Sequence, residues 1–400
     1  MDDYDVAVVG GGPIGCFVAE RLASKGMHIA VFEEHQNIGE PVHCAGIVTQ
    51  RVFAITNCPS ETSEKIVQNT ISGAVIHSPT GTNLVIGGDK THGLVIKRQL
   101  FDEHLAEKAK KAGARLSLQT KVISAKKRHN HVESTIQHNR HHMTFCCKLL
   151  IGADGAHSQI RDTFRFPKPQ ETLQGIGAEL SDTALDPQFV HIFVGHKIAP
   201  GFFAWIIPTN LKGTSARIGL CIGKHSNHTL QYYFTTLLQQ PLLHGTTIIR
   251  RFGGTIPVGP LKKTVADHIM LVGDAAAQVK PTSGGGLYPG LLCAAHCSTI
   301  ADEAFQIGHF NEKFLQRYHI RWTKDLGREL SLGMRFRNIF SKFSDAQFNK
   351  YLEKLNTKKT IDVINTYGDI DYPSRLILPL IKAMPSLLSL TPSMLKHTIK

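Results

Sequence analysis

Hydrophobic positions change period along this chain, and each change marks an element. Residues 4–9 form a short, β-branched, mostly apolar run of the length of a buried strand. Helical spacing follows over 16–24, and 28–32 returns as a second strand. Short strands are predicted at 74–76, 84–86 and 93–96, divided by Gly, Pro and Asn turns. Residues 98–111 read as an amphipathic helix, with Leu100, Phe101, His104, Leu105, Lys108 and Ala109 at helical spacing and Gly113 beyond its end. Strands at 115–119, 122–127 and 145–151 come next, and the polar, histidine-rich stretch 129–142 reads as the solvated tip of a hairpin. Strand signals then dominate 174–222, with a helix at 230–238 and a strand at 248–256. A buried, parallel-type strand at 268–272 and a helix at 286–305 precede a helical, more basic C-terminal region.

This order predicts an α/β fold. A Rossmann-like dinucleotide-binding domain is assembled discontinuously from 1–73, 97–165 and 264–305. An antiparallel-sheet substrate domain takes 74–96 and 166–263, and 306–400 is a C-terminal helical region.

Three sequence motifs fall at the ends of the predicted parallel strands. Gly10, Gly12 and Gly15, with Pro13 among them, stand in G-x-G-x-x-G spacing between the first strand and its helix. The glycines serve the tight turn, close approach of a pyrophosphate, and close packing of helix on strand, while free N–H groups at the helix start hold negative charge. Glu33 ends the second strand about 20 residues on, where an acid can take ribose hydroxyls. Asp154 and Gly155 close the strand at 145–151, with Ser158 and Arg161 after them. Gly273 and Asp274 close the strand at 268–272, and Lys280-Pro-Thr-Ser-Gly-Gly-Gly286 leads into a helix beginning near Leu287. Asp274 can accept from ribityl hydroxyls, and the amides of Gly284, Gly285 and Gly286 can face the pyrimidine edge of a flavin, where charge develops on reduction. NAD requires nothing comparable, so three motifs at these separations point to FAD. Val122, opening its strand, completes the expected cofactor contacts.

Charge narrows the partners. Forty-five Lys and Arg against 32 Asp and Glu give +13, which favours phosphates, acidic lipid headgroups or an acidic electron carrier. With no nucleic-acid module and no aromatic-interleaved basic stripe, nucleic acid is set aside as a partner. The eight cysteines form no C-x-x-C pair and no metal-ligand spacing, so no metal is expected and a reducing cytoplasm fits. A strand starting at residue 4 leaves no room for a signal peptide, and no apolar stretch reaches the ~18 residues of a spanning helix.

With these motifs the chain resembles the geranylgeranyl reductase family of para-hydroxybenzoate-hydroxylase-type FAD proteins, including the archaeal digeranylgeranylglycerophospholipid reductases. The resemblance runs from about residue 3 to about 335. It adds Pro41-Val-His-Cys-Ala-Gly46, Arg98 before Phe101-Asp102, and Gly201-Phe-Phe-Ala-Trp-Ile-Ile-Pro208 to the three motifs. Ile207 replaces the family's usual Phe. The resemblance implies hydride transfer from reduced flavin to C=C bonds of geranylgeranyl chains, probing three groups of residues. Cys44, with Ala45 and Gly46, falls beside the isoalloxazine, as a proton donor or as packing; Tyr288 is a second candidate donor, and His43 a third. Arg98 approaches the FAD phosphates or the flavin edge. Phe203, Trp205 and Pro208 lie on the substrate sheet. The partners implied are an isoprenoid lipid and an electron donor, ferredoxin or NAD(P)H. The 376–396 stretch of Leu, Ile, Pro and Lys is read as a peripheral membrane contact. The rival readings are a FAD monooxygenase or halogenase of the same fold, and a flavin protein passing electrons to a membrane quinone.

Overall fold

The computed structural model describes residues 2–224 and 226–386. Its organising strand is Asp2–Val9, which lies between His141–Gly152 and Ile29–Phe32 and runs parallel to both. Ile269–Leu271 extends the parallel array on one side and Arg115–Ser117 on the other. Segments far apart in the chain thus end their strands at one edge, where ligands of open α/β sheets bind.

Alternation divides the core in two. Val6 and Val8 face Cys16, Val18 and Leu22 of the helix Pro13–Ala23, with Phe101, Leu105 and Leu291 from the helices Arg98–Lys111 and Leu287–Ile307 behind them. Ala7 and Val9 face the other way, against Phe32, Phe145, Val122 and Ile136. That second layer is the antiparallel set Thr120–Lys127, Val132–His138 and His141–Gly152. Here the structure departs from the expected loop at 129–142. A strand runs through 132–138 and another starts at His141, leaving tight turns at 129–131 and at Asn139 and Arg140, whose φ values are 47° and 68°. Val132, Ser134 and Ile136 point inward at period two, a pattern masked by polar composition.

A separate seven-stranded sheet has the order Thr247–Val258, Glu171–Ser181, Ser215–Ile222, Phe203–Pro208, Phe189–Val194, Gly73–His77, Asn83–Gly87. Every junction is antiparallel except Phe189–Val194 with Gly73–His77, where a strand from the first quarter of the chain joins in parallel. One face packs Ala204 and Ile206 under Tyr233, Phe234 and Leu237 of the helix Leu230–Leu238. The opposite face turns Trp205 and Ile207 toward Ala45, Ile47, Val279 and Met334. A small sheet of Ile47–Val48, Gly93–Ile96 and Val67–Ile71 connects the two large ones.

Beyond residue 310 the described chain is helical. The helix Lys358–Tyr367 covers the edge strand Asn83–Gly87, Asn365 accepting from the Gly87 amide at 2.8 Å. The 376–396 stretch is described only to residue 386, so much of the expected membrane contact lies outside the described residues. No helix among those residues is long and apolar enough to cross a membrane, and no cluster of three or more metal-ligating side chains occurs among them.

Candidate active site

The glycine turn is shaped by what a side chain would strike. A Cβ on Gly10, whose φ is 104°, would come 2.3 Å from the Ala153 carbonyl oxygen, and one on Gly15 would come 2.0 Å from that of Gly10. Gly12, by contrast, meets nothing within 4 Å. It faces a cavity of ≈ 390 Å³. Gly10, Gly12, Glu33, Cys44, Arg98, Val122, Asp154 and Gly155 line this one space, together with His43, so strand ends from distant segments meet there.

Glu33 is held in place on both oxygens. Oε2 accepts from the Gly11 amide at 2.7 Å, while Oε1 accepts from the His35 amide at 2.9 Å. Asp154 accepts from the Ser158 hydroxyl at 2.6 Å and the Ile160 amide at 3.0 Å. Burial pushes its carboxyl above the ordinary range, and those hydrogen bonds partly offset the rise. At the far end Arg98 donates to Asp102 at 3.2 and 3.0 Å, one helical turn on. Desolvation pulls the Arg98 guanidinium down, but Asp102 and the Cys44 thiol, both within its hydrogen-bonding reach, hold it above its usual value. The Cys44 sulfur accepts from the Gly46 amide at 3.3 Å.

The third motif borders this space without lining it. Pro13 and Gly15 sit in the helix behind the turn, and Ala45 and Gly46 in the loop beyond Cys44. Gly273 and Asp274 open a short turn, and Gly286 caps the helix that starts at Leu287. A Cβ on Gly286 would come 2.8 Å from an Asp274 carboxylate oxygen, and one on Gly285 2.8 Å from Cε of Lys280. Gly284, at φ 71°, lies under Ile256 and Phe202. On the sheet, Phe203 and Trp205 meet edge to face at 6.0 Å, and the Trp205 ring covers Gly219 on the next strand. The Trp205 indole Nε1 is buried without a hydrogen-bond partner. Pro208 ends the strand, its carbonyl accepting from Asn69 at 3.0 Å.

A family model described as an FAD binding domain matches residues 3–292. A digeranylgeranylglycerophospholipid reductase of Methanocaldococcus jannaschii is 30% identical over 362 residues, covering 88% of this chain and 91% of its own. This chain belongs to that family of FAD-binding reductases. An uncharacterized protein of the same organism is 33% identical over 389 residues, 96% of each chain. The crystal structure of a geranylgeranyl bacteriochlorophyll reductase-like protein from Thermoplasma acidophilum shares the fold at a TM-score of 0.85 and 23% identity, covering 98% of this chain and 100% of that one.

FAD is thus the cofactor, and the reductase cavity fits it. Gly12 and Gly155 present bare backbone to open space, as phosphate approach demands. Burial pushes the Asp274 carboxyl up to about 6, with Arg98 opposing.

Sequence reasoning missed a strap from the C-terminal region. Asp371 is buried and accepts from Lys280 at 2.8 Å, from Arg51 at 3.1 Å and from the Thr49 hydroxyl. Arg51 also grips both oxygens of Asp369 at 2.8 Å. The Tyr288 hydroxyl is 2.9 Å from that of Tyr372, and burial with this contact pushes the phenol up. Tyr288 therefore turns to the strap rather than into the cavity lining. Arg217 was missed too, although a lone charge in the apolar run Ser-Ala-Arg-Ile-Gly-Leu-Cys-Ile is itself a signal of a buried, paired cation.

Proposed function

We propose that this reductase saturates C=C bonds of geranylgeranyl chains on archaeal-type ether phospholipids. The observation that carries the reading is the cavity running from the glycine turn to Cys44 and Arg98, where the loop passes at Ala45 onto the apolar face of the seven-stranded sheet. Full-length likeness to reductases of that name supports it. FAD, when bound and reduced, supplies a hydride.

The chain's own residues divide the remaining work. Gly10, Gly12, Pro13 and Gly15 form the phosphate turn, and Glu33 faces the ribose. Asp154, Gly155, Val122, Gly273 and Asp274 flank the ribityl path, and Gly284, Gly285, Gly286 and Leu287 present a helix N-terminus to the flavin. Phe203, Trp205 and Pro208 guide the isoprenoid chain along the sheet. Cys44, with Ala45 and Gly46 leaving room beside it, delivers the proton to the second carbon. Arg98 sets positive charge against the sulfur when that proton leaves. Tyr288, engaged with Tyr372, is left to positioning.

The lipid comes from a bilayer, so the basic chain works as a peripheral membrane protein, reduced by ferredoxin or NAD(P)H. Co-expression with unsaturated ether-lipid biosynthesis tests the reading by mass spectrometry of the membrane lipids. The expected result is a series of mass gains in steps of two hydrogens, lowered about 10²-fold in rate by Cys44→Ser with FAD still bound. An unshifted lipid profile beside folded, FAD-loaded protein contradicts it.

A further inference from the structure

We propose that Arg217, on the substrate-side sheet, is the positioning residue that fixes the Cys44 loop against Arg98. Its side chain is 7% exposed. The guanidinium donates through Nη1 to the carbonyls of Ile96 at 2.9 Å and Ala45 at 3.3 Å, and through Nη2 to Gln68 at 2.6 Å. Nε donates to Glu179 on the neighbouring strand at 3.1 Å.

The two carbonyls define the role. Ala45 follows Cys44, and Ile96 stands two residues before Arg98. One rigid, planar group therefore holds the backbone beside Cys44 and beside Arg98, which line the same cavity. Gly46 completes the clamp: its carbonyl accepts from the Ile96 amide at 2.8 Å, while its own amide donates to the Cys44 sulfur. A Cβ on Gly46 would come 2.2 Å from Nη1 of Arg217, so only glycine lets the loop lie this close. Lysine cannot reproduce this fork, because a single ammonium with three donors cannot reach four acceptors spread around a guanidinium.

Glu179 separates clamp from counter-charge. It also accepts from Arg250 at 3.1 Å, so removing Arg217 does not leave the carboxylate unpaired. The inference takes Cys44 as the proton-delivering residue from the proposed function, but its test reads the loop without any lipid.

The experiment is iodoacetamide labelling of the full, FAD-free chain at about pH 9.5, above the ordinary thiol range of about 8.5, so that the rate reads access. Peptide mass mapping follows Cys44, with half-buried Cys58 as the internal reference. Arg217→Met and Arg217→Lys should both raise Cys44 labelling about tenfold and leave Cys58 unchanged. Recovery of the wild-type rate by Arg217→Lys would overturn the proposal, since a counter-charge to Glu179 would then suffice. An unchanged Cys44 rate, or a rise shared by Cys58, would overturn it as well. Gly46→Ala probes the same contact from the loop side and should give the same selective rise; no change there counts against the clamp. Failure of lipid reduction would leave these rates as they are, so the two readings fail separately.

Discussion

Asp274, which the proposed function sets beside the ribityl path, holds its proton unusually tightly in the bare protein. Its carboxyl is pushed up to about 6 by burial, against an ordinary value of 3.8. The folded state therefore binds this proton more tightly than the unfolded state does, and stability falls as pH rises from the ordinary value through about 6. Asp274→Asn removes the loss. Relative to wild type, the FAD-free variant should gain on the order of 3 kcal/mol between about pH 4 and pH 7. Denaturant midpoints of the two proteins across that range check this, and a pH-independent difference would refute it. The comparison has to be made between proteins because His191 works the other way. Burial and neighbouring His77, at 3.0 Å, push its imidazole down to about 4, so its contribution is lost as pH falls from 6.5 toward that value. Neither group was legible as unusual in the sequence: a motif places Asp274 at a strand end but says nothing of how deeply it lies.

Elements with strong local signals were legible, and those made by distant contacts were not. Arg98–Lys111 and Leu230–Leu238 fall where spacing predicts them, because each needs only a few turns of its own sequence to declare a buried face. The glycine turn was legible from its local spacing, although the carbonyl that bars a side chain from Gly10 belongs to Ala153, far along the chain. The histidine-rich hairpin was misread because inward Val132, Ser134 and Ile136 are few and stand among polar neighbours. The strap at 369–372 left no local trace, since Asp371 finds Lys280 across 91 residues and Thr49 across 322. Its energetic weight is testable. Lys280→Met takes one cation from a buried carboxylate, and loss of a partner from such a pair costs about 3–5 kcal/mol. Arg51 and Thr49 still reach Asp371, which places the expected loss at the lower end. The paired change Lys280→Met with Asp371→Leu should recover much of it, because no carboxylate is then left buried without its lysine. Equal losses in the single and paired variants would show that packing, not charge, holds the strap.

At the scale of the molecule, a small sheet connects two large ones, and the cavity lies at the strand ends of the first, bordered by the Cys44 loop. One sheet presents strand ends, bare backbone and carboxylates suited to a dinucleotide. The other presents Phe203, Trp205 and Ile207 on a face continuous with Ala45 and Met334. In the proposed function, a polar cofactor and a greasy substrate are thereby brought to opposite sides of one short loop, and that loop carries Cys44. The most direct test of this arrangement is an anaerobic single turnover. FAD-loaded protein, reduced with dithionite and freed of excess reductant, is mixed with an unsaturated geranylgeranyl ether phospholipid while flavin absorbance and lipid mass are followed. The account predicts that the flavin reoxidises without oxygen and that the lipid gains two hydrogens for each flavin oxidised. A flavin that stays reduced until air is admitted, beside lipid of unchanged mass, would contradict it.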